Sequence, residues 1–181
     1  MDLYRRRHAG RVPRRVMVRK TTEFKPQEVD GCMEAFNLCE AVDLVQVVED
    51  VGWRGVLVNG PFNDRPAQAA MFPVPRGTVL GMAPAEALVW THGSVKKISD
   101  KGSYFQGSRS TPRPLRIIRH AGHGPWDDTA WAILALTKMD WNNDALYDPL
   151  PVTLAYAKVL SRVVKRISRL GSRPYQFRFF M

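Results

Sequence analysis

Between Leu150 and Leu170 the chain reads LPVTLAYAKVLSRVVKRISRL, and four of its cations, Lys158, Arg162, Lys165 and Arg169, stand at i, i+4, i+7 and i+11. At about 100° per residue they fall within roughly 60° of one another, a narrow cationic stripe on one helix. Val152, Tyr156, Val159, Leu160, Val163, Val164, Ile167 and Leu170 take the other side, which predicts a buried face. No acidic residue lies between Pro151 and Gly171 to neutralise the stripe from within the helix. A row of unneutralised cations suits a row of phosphates, and four phosphate contacts would steepen the salt dependence of binding by about 3 to 4 log units. A solvated basic face is the plainer alternative, although such faces usually mix signs.

Other polar clusters carry weaker signals. In TKMDWNND, from Thr137, Lys138 and Asn142 sit at a helix end and loop, where both can contact phosphate or sugar. His120 and His123 in RHAGHG have an HxxH spacing, but the glycines and the missing third ligand favour a turn over a metal site. Asp127 and Asp128 fit the positive amino end of a helix better than a catalytic pair. Cys32 and Cys39 match no zinc pattern and are too few for a disulfide framework, so they read as buried thiols. The basic run at Arg5 and the cluster Arg14, Arg15, Arg19 and Lys20 read as a solvated face with scope to touch a target strand. A Gly-rich phosphate loop, a Ser-His-Asp arrangement and a nucleophile elbow are all missing from the sequence.

The elements that must position these residues mix strand and helix. RRVMVRK, from Arg14, reads as a strand running into a loop at the Thr pair. A helix follows at Pro26, with Val29, Cys32, Met33 and Phe36 on one face. VDLVQVV from Val42 and GVLVNG from Gly55 are strand-like, and the proline-rich stretch 61–75 reads as a surface loop. GTVLGM and EALVWTHG form another pair of strands, a polar basic loop spans 96–114, and LRIIRH is a further strand. A helix starts at Pro125 or Trp126. Five or six strands ahead of two carboxy-terminal helices predict an α/β fold with a mixed sheet.

Composition bounds the reading. With 181 residues, 45% of them hydrophobic, the chain has enough apolar surface for one core. Lys and Arg number 27 against 17 Asp and Glu, giving a net charge of +10, and the isoelectric point is about 10.1. That surplus favours a polyanion, and nucleic acid over a membrane surface, because no segment pairs a basic face with a broad apolar one. No apolar run follows the basic amino terminus and none reaches eighteen residues, so a cytoplasmic protein with no membrane partner is expected.

The run from Pro112 to Ile167, PRPLRIIRHAGHGPWDDTAWAILALTKMDWNNDALYDPLPVTLAYAKVLSRVVKRI, resembles the carboxy-terminal half of the PIWI domain of prokaryotic Argonaute proteins. QGSRSTPRP, from Gln106, is similar to the strand and loop that lead into that domain's last helices, and RRVMVRKTTEF to its third catalytic strand region. The resemblance covers about 10–181 and implies a partial RNase H-like fold, with residues 1–10 a flexible extension. The MID domain and the first half of PIWI would lie upstream, in the same chain or in a partner. It also implies the partners: a short guide strand of RNA or DNA, whose 5′ portion would meet the cationic stripe, and a complementary target.

Cutting members of that family need a carboxylate-rich set that clamps two metal ions about the scissile phosphate. The resemblance places Thr21 at the third Asp position and Lys158 at the last ligand position. An ammonium cannot coordinate a cation, so the resemblance points to the non-cleaving type. The tail RPYQFRFFM is similar to those whose terminal carboxylate, here on Met181, helps hold Mg²⁺ or another divalent cation against the guide's 5′ phosphate; a tail that only packs its aromatic rings is the alternative. Two other function classes stay open: a nuclease completed by carboxylates elsewhere, and a generic basic RNA- or DNA-binding protein.

Overall fold

RVMVRK forms strand β1 (Arg15–Lys20) and AVDLVQVV forms strand β2 (Ala41–Val48), joined by helix α2 (Pro26–Ala35), with a short helix α1 (Asp2–Arg7) ahead of them. This is a computed structural model, and it describes residues 1–49, 51–60, 66–96, 103–105, 110–139 and 149–167. After β2 come two-residue strands β3 (Val58–Asn59) and β4 (Gln68–Ala69), the hairpin β5 (Val79–Ala83) and β6 (Glu86–Val89), and two more short strands, β7 (Val95–Lys96) and β8 (Ser103–Tyr104). Strand β9 (Leu115–Ala121) and helices α3 (Trp126–Leu136) and α4 (Val152–Val164) complete the order.

The main sheet runs β1-β2-β9-β6-β5. β1 and β2 are parallel, with Arg15 opposite Ala41 and Lys20 opposite Gln46; β9 is antiparallel to both β2 and β6, and β5 to β6. Parallel neighbours need a crossover between them, which α2 supplies. Strand alternation then sorts the core into two layers. Val42 and Leu44 face α2, meeting Phe24, Val29, Cys32 and Phe36. Val45 and Val47 face the other way, meeting Leu115 and Ile117 of β9, Ala130 and Ile133 of α3, and Leu150 and Leu154. The sheet is therefore covered on both faces, as its buried centre requires.

Three readings of the sequence change here. GVLVNG yields only the exposed β3, paired with β4 outside the main sheet. β2 already has β1 on one side and β9 on the other, so this run finds no main-sheet edge beside it. The amino-terminal extension, read without an element of its own, holds α1, with Asp2 in its first turn and Arg5, Arg6 and Arg7 in its last, charges that complement the helix dipole. The last helix ends at Val164 with Lys165 as its C-cap, and within it only Val152 and Leu154 are buried. Val159 (44%), Val163 and Ile167, expected in the core, are exposed. The helix docks by its first turn, where Leu154 enters the cluster beneath it.

A charged network pins the amino end of β2. Asp43, 1% exposed, accepts hydrogen bonds from Arg15 Nε at 3.0 Å and Nη2 at 2.8 Å. Arg15 also reaches Asp128 Oδ2 at 3.1 Å, in the first turn of α3, and the Asp43 carboxylate holds its guanidinium above the ordinary arginine range. On β9, Arg119 donates to the Gly124 carbonyl and to Thr129 Oγ1, lies over the Trp126 ring, and brings Nε to 3.8 Å from Asp43 Oδ1. The glycine of RHAGHG follows from this crowding. Gly122 has φ +100°, and a Cβ there would stand 2.4 Å from Asp43 Oδ1 and 2.6 Å from the Val42 carbonyl. His120 is turned to the α2 side, 3.1 Å from Gln46 Oε1 and against Phe24, which gives His120 a structural role.

Candidate nucleic-acid interface

The carboxy ends of parallel strands leave a crevice at the sheet margin, and ligands of α/β sheets collect there. In this chain the crevice lies between the end of β1 and the exposed flank of α4. Arg19, Lys20 and Thr21 form one wall; Leu154, Ala157, Lys158, Ser161, Arg162 and Lys165 form the other, around a cleft of about 320 Å³. Helical spacing brings Lys158, Arg162 and Lys165 onto that flank together, and strand alternation sends Arg19 and Lys20 to opposite sheet faces at its rim.

The five cations are not equivalent. Arg19 is largely sunk beneath α3, donates to the Ala132 carbonyl at 3.4 Å, and burial pushes its guanidinium below the usual range. Lys20 pairs with Glu28 Oε2 at 2.5 Å and lies 4.5 Å over the Phe24 ring; that hydrogen bond, with one from the Lys25 amide, holds Glu28 below the usual carboxylate range. Lys158 Nζ is bonded to Glu49 Oε2. Arg162 and Lys165 are exposed and make no ion pair among the described residues.

The Glu49 contact corrects the reading of Lys158 as one of a row of unneutralised cations. α4 itself holds no acid, but Glu49 follows β2 directly and crosses to the helix from a position 109 residues earlier. The sequence carried one signal for it: Glu49 directly follows Val47 and Val48, the apolar pair that ends β2, at the sheet end where sites form.

Thr21, Lys158, Arg162 and Lys165 are thus gathered in one cleft, joined by Arg19 and Lys20 from the cluster read as a solvated basic face with scope to touch a target strand. Lys138 is elsewhere, in the turn after α3. There burial and then the nearby Arg76 lower its ammonium pKa, while Arg76 itself is tied to the Thr91 and Leu134 carbonyls and to Thr137 Oγ1. Asn142, Arg169 and the Met181 carboxylate lie outside the described residues. Among the described residues the cleft's lining holds five cations and no carboxylate, and adjacent Glu49 is engaged by Lys158.

A mixed sheet with carboxy-terminal helices matches Argonaute PIWI-type folds. The structure superposes on Aa-Ago with externally bound siRNA with a TM-score of 0.61 at 13% identity, covering 92% of this chain and 20% of that one. It superposes on Clostridium butyricum Argonaute, bound to a guide DNA and a 19-mer target DNA, with a TM-score of 0.56 at 14% identity, covering 91% and 19%. In sequence the chain is 30% identical over 169 residues to the Argonaute protein of Thermus thermophilus, covering 93% of this chain. It spans about a fifth (21%) of the length of that relative. No protein-family model matches. In sequence and in fold the chain is thus similar to about a fifth of the length of prokaryotic Argonaute proteins.

Proposed function

We propose that this chain is the guide-contacting part of an Argonaute-like protein that holds a short nucleic-acid strand, and the duplex it forms with a target, without cutting either. The observation that carries the reading is the cleft itself. Its exposed cations, Arg162 and Lys165, lie on the same helical flank as Lys158 and face the β1 end that holds Arg19, Lys20 and Thr21. Such a surface neutralises backbone phosphates, a sequence-independent contact that suits guides of any sequence. The absence of cleavage rests on Thr21 and Lys158, which put a hydroxyl and an ammonium where metal-binding carboxylates would be needed. In this proposal the MID domain and the first half of PIWI come from upstream or from a partner chain. A divalent cation shared by the Met181 carboxylate would hold the guide's 5′ phosphate.

A comparison of two guides separates this from generic basic binding. With the upstream half supplied, a short strand carrying a 5′ phosphate should bind at least about tenfold more tightly than its 5′-hydroxyl twin, as expected for a charge-assisted contact of about 1.5–3 kcal/mol. Equal affinities in a fluorescence-anisotropy titration would leave only a generic polyanion binder.

A further inference from the structure

We infer that Glu49 occupies the seat of one backbone phosphate in the cleft and keeps a bound strand from neutralising a phosphate at Lys158. The inference rests on the nucleic-acid reading of the cleft. Glu49 stands just past the end of β2, at the same sheet end as Thr21, and its Oε2 accepts a hydrogen bond from Lys158 Nζ. A carboxylate oxygen and a phosphate oxygen present the same face to an ammonium: a charged acceptor at hydrogen-bond distance. The pair is open to solvent, with the Lys158 and Glu49 side chains 39% and 34% exposed, so a polyanion can compete for it.

The physical consequence concerns charge. While Glu49 faces Lys158 the pair is neutral, and it adds nothing to the number of phosphates the cleft can neutralise. Lys158 then differs from Arg162 and Lys165, which have no such partner among the described residues, although all three share one helical flank.

Salt titrations of binding to a short duplex test this, because each phosphate neutralised contributes about 0.7–0.9 to the slope of log affinity against log salt. Glu49→Gln should steepen the slope by one contact and tighten binding about fivefold at 0.1 M salt. Glu34→Gln, the same charge change on α2, should change neither. The double variant Glu49→Gln with Lys158→Gln should return to the wild-type slope, and it serves as the second arm if the single variant fails to fold. A double variant that loses a full contact, or a Glu49→Gln slope equal to that of Glu34→Gln, would overturn the inference. Either result leaves the cleft reading standing if Arg162→Gln with Lys165→Gln still flattens the slope; if that variant has no effect, the reading itself fails.

Discussion

Changing Arg162 and Lys165 together to Gln should weaken binding to short nucleic acid about 20- to 60-fold at 0.1 M salt and flatten the salt slope by about 1.4–1.8. Both side chains are exposed and lie on the cleft-facing flank of α4. Neither has an ion pair among the described residues to blunt its charge. The expectation differs from the one the helical stripe first raises, in which four equivalent cations steepen the slope by about 3 to 4. Lys158 is offset by Glu49, and Arg169 lies outside the described residues. Fold should be unaffected, because both changes are on a solvated flank far from the buried first turn of α4. An unchanged slope would remove the phosphate assignment.

Asp43→Ala should destabilise the chain by about 3–5 kcal/mol, the usual penalty for removing one partner of a buried charged network. The carboxylate is 1% exposed and takes two hydrogen bonds from Arg15. Its loss strands Arg119, whose side chain is only 8% exposed and whose Nε faces Asp43 Oδ1. Arg15 would keep Asp128 but lose its tie to β2. Because the network joins β1, β2, β9 and the start of α3, the change should appear as a cooperative loss of melting temperature in circular dichroism. Asp43→Asn keeps an acceptor for Arg15 and should lose less. Equal melting temperatures for Asp43→Ala and wild type would mean that the network contributes little.

Where the local pattern was strong, the sequence was a good guide. The β-branched centre of RVMVRK, the apolar alternation of AVDLVQVV and the Pro26 helix start all return as β1, β2 and α2. Asp127 and Asp128 do begin α3, and the structure adds that Asp128 is tied to Arg15. What failed was whatever depended on distant partners. Periodicity put Val159, Val163 and Ile167 on an apolar face but could not tell that α4 touches the core only through its first turn. Leu154, which the stripe reading passed over, is the side chain that anchors the helix.

The cleft was legible in half. Spacing along one helix identifies Lys158, Arg162 and Lys165 as neighbours, since that geometry is local. The opposite wall and Glu49 come from β1 and the end of β2, over a hundred residues earlier, and only the parallel pairing of those strands brings them to α4. Arg19 could not be told from the solvated cations around it, because its burial under α3 is a tertiary fact.

The central claim is a cleft that holds a guide-paired target and leaves it whole. The direct measurement incubates the protein, together with the proposed upstream half, on a guide–target duplex in Mg²⁺ and separately in Mn²⁺, following complex and strand length together. Binding with the target intact in both metals is the predicted result; a target cut at one defined position opposite the guide would contradict it.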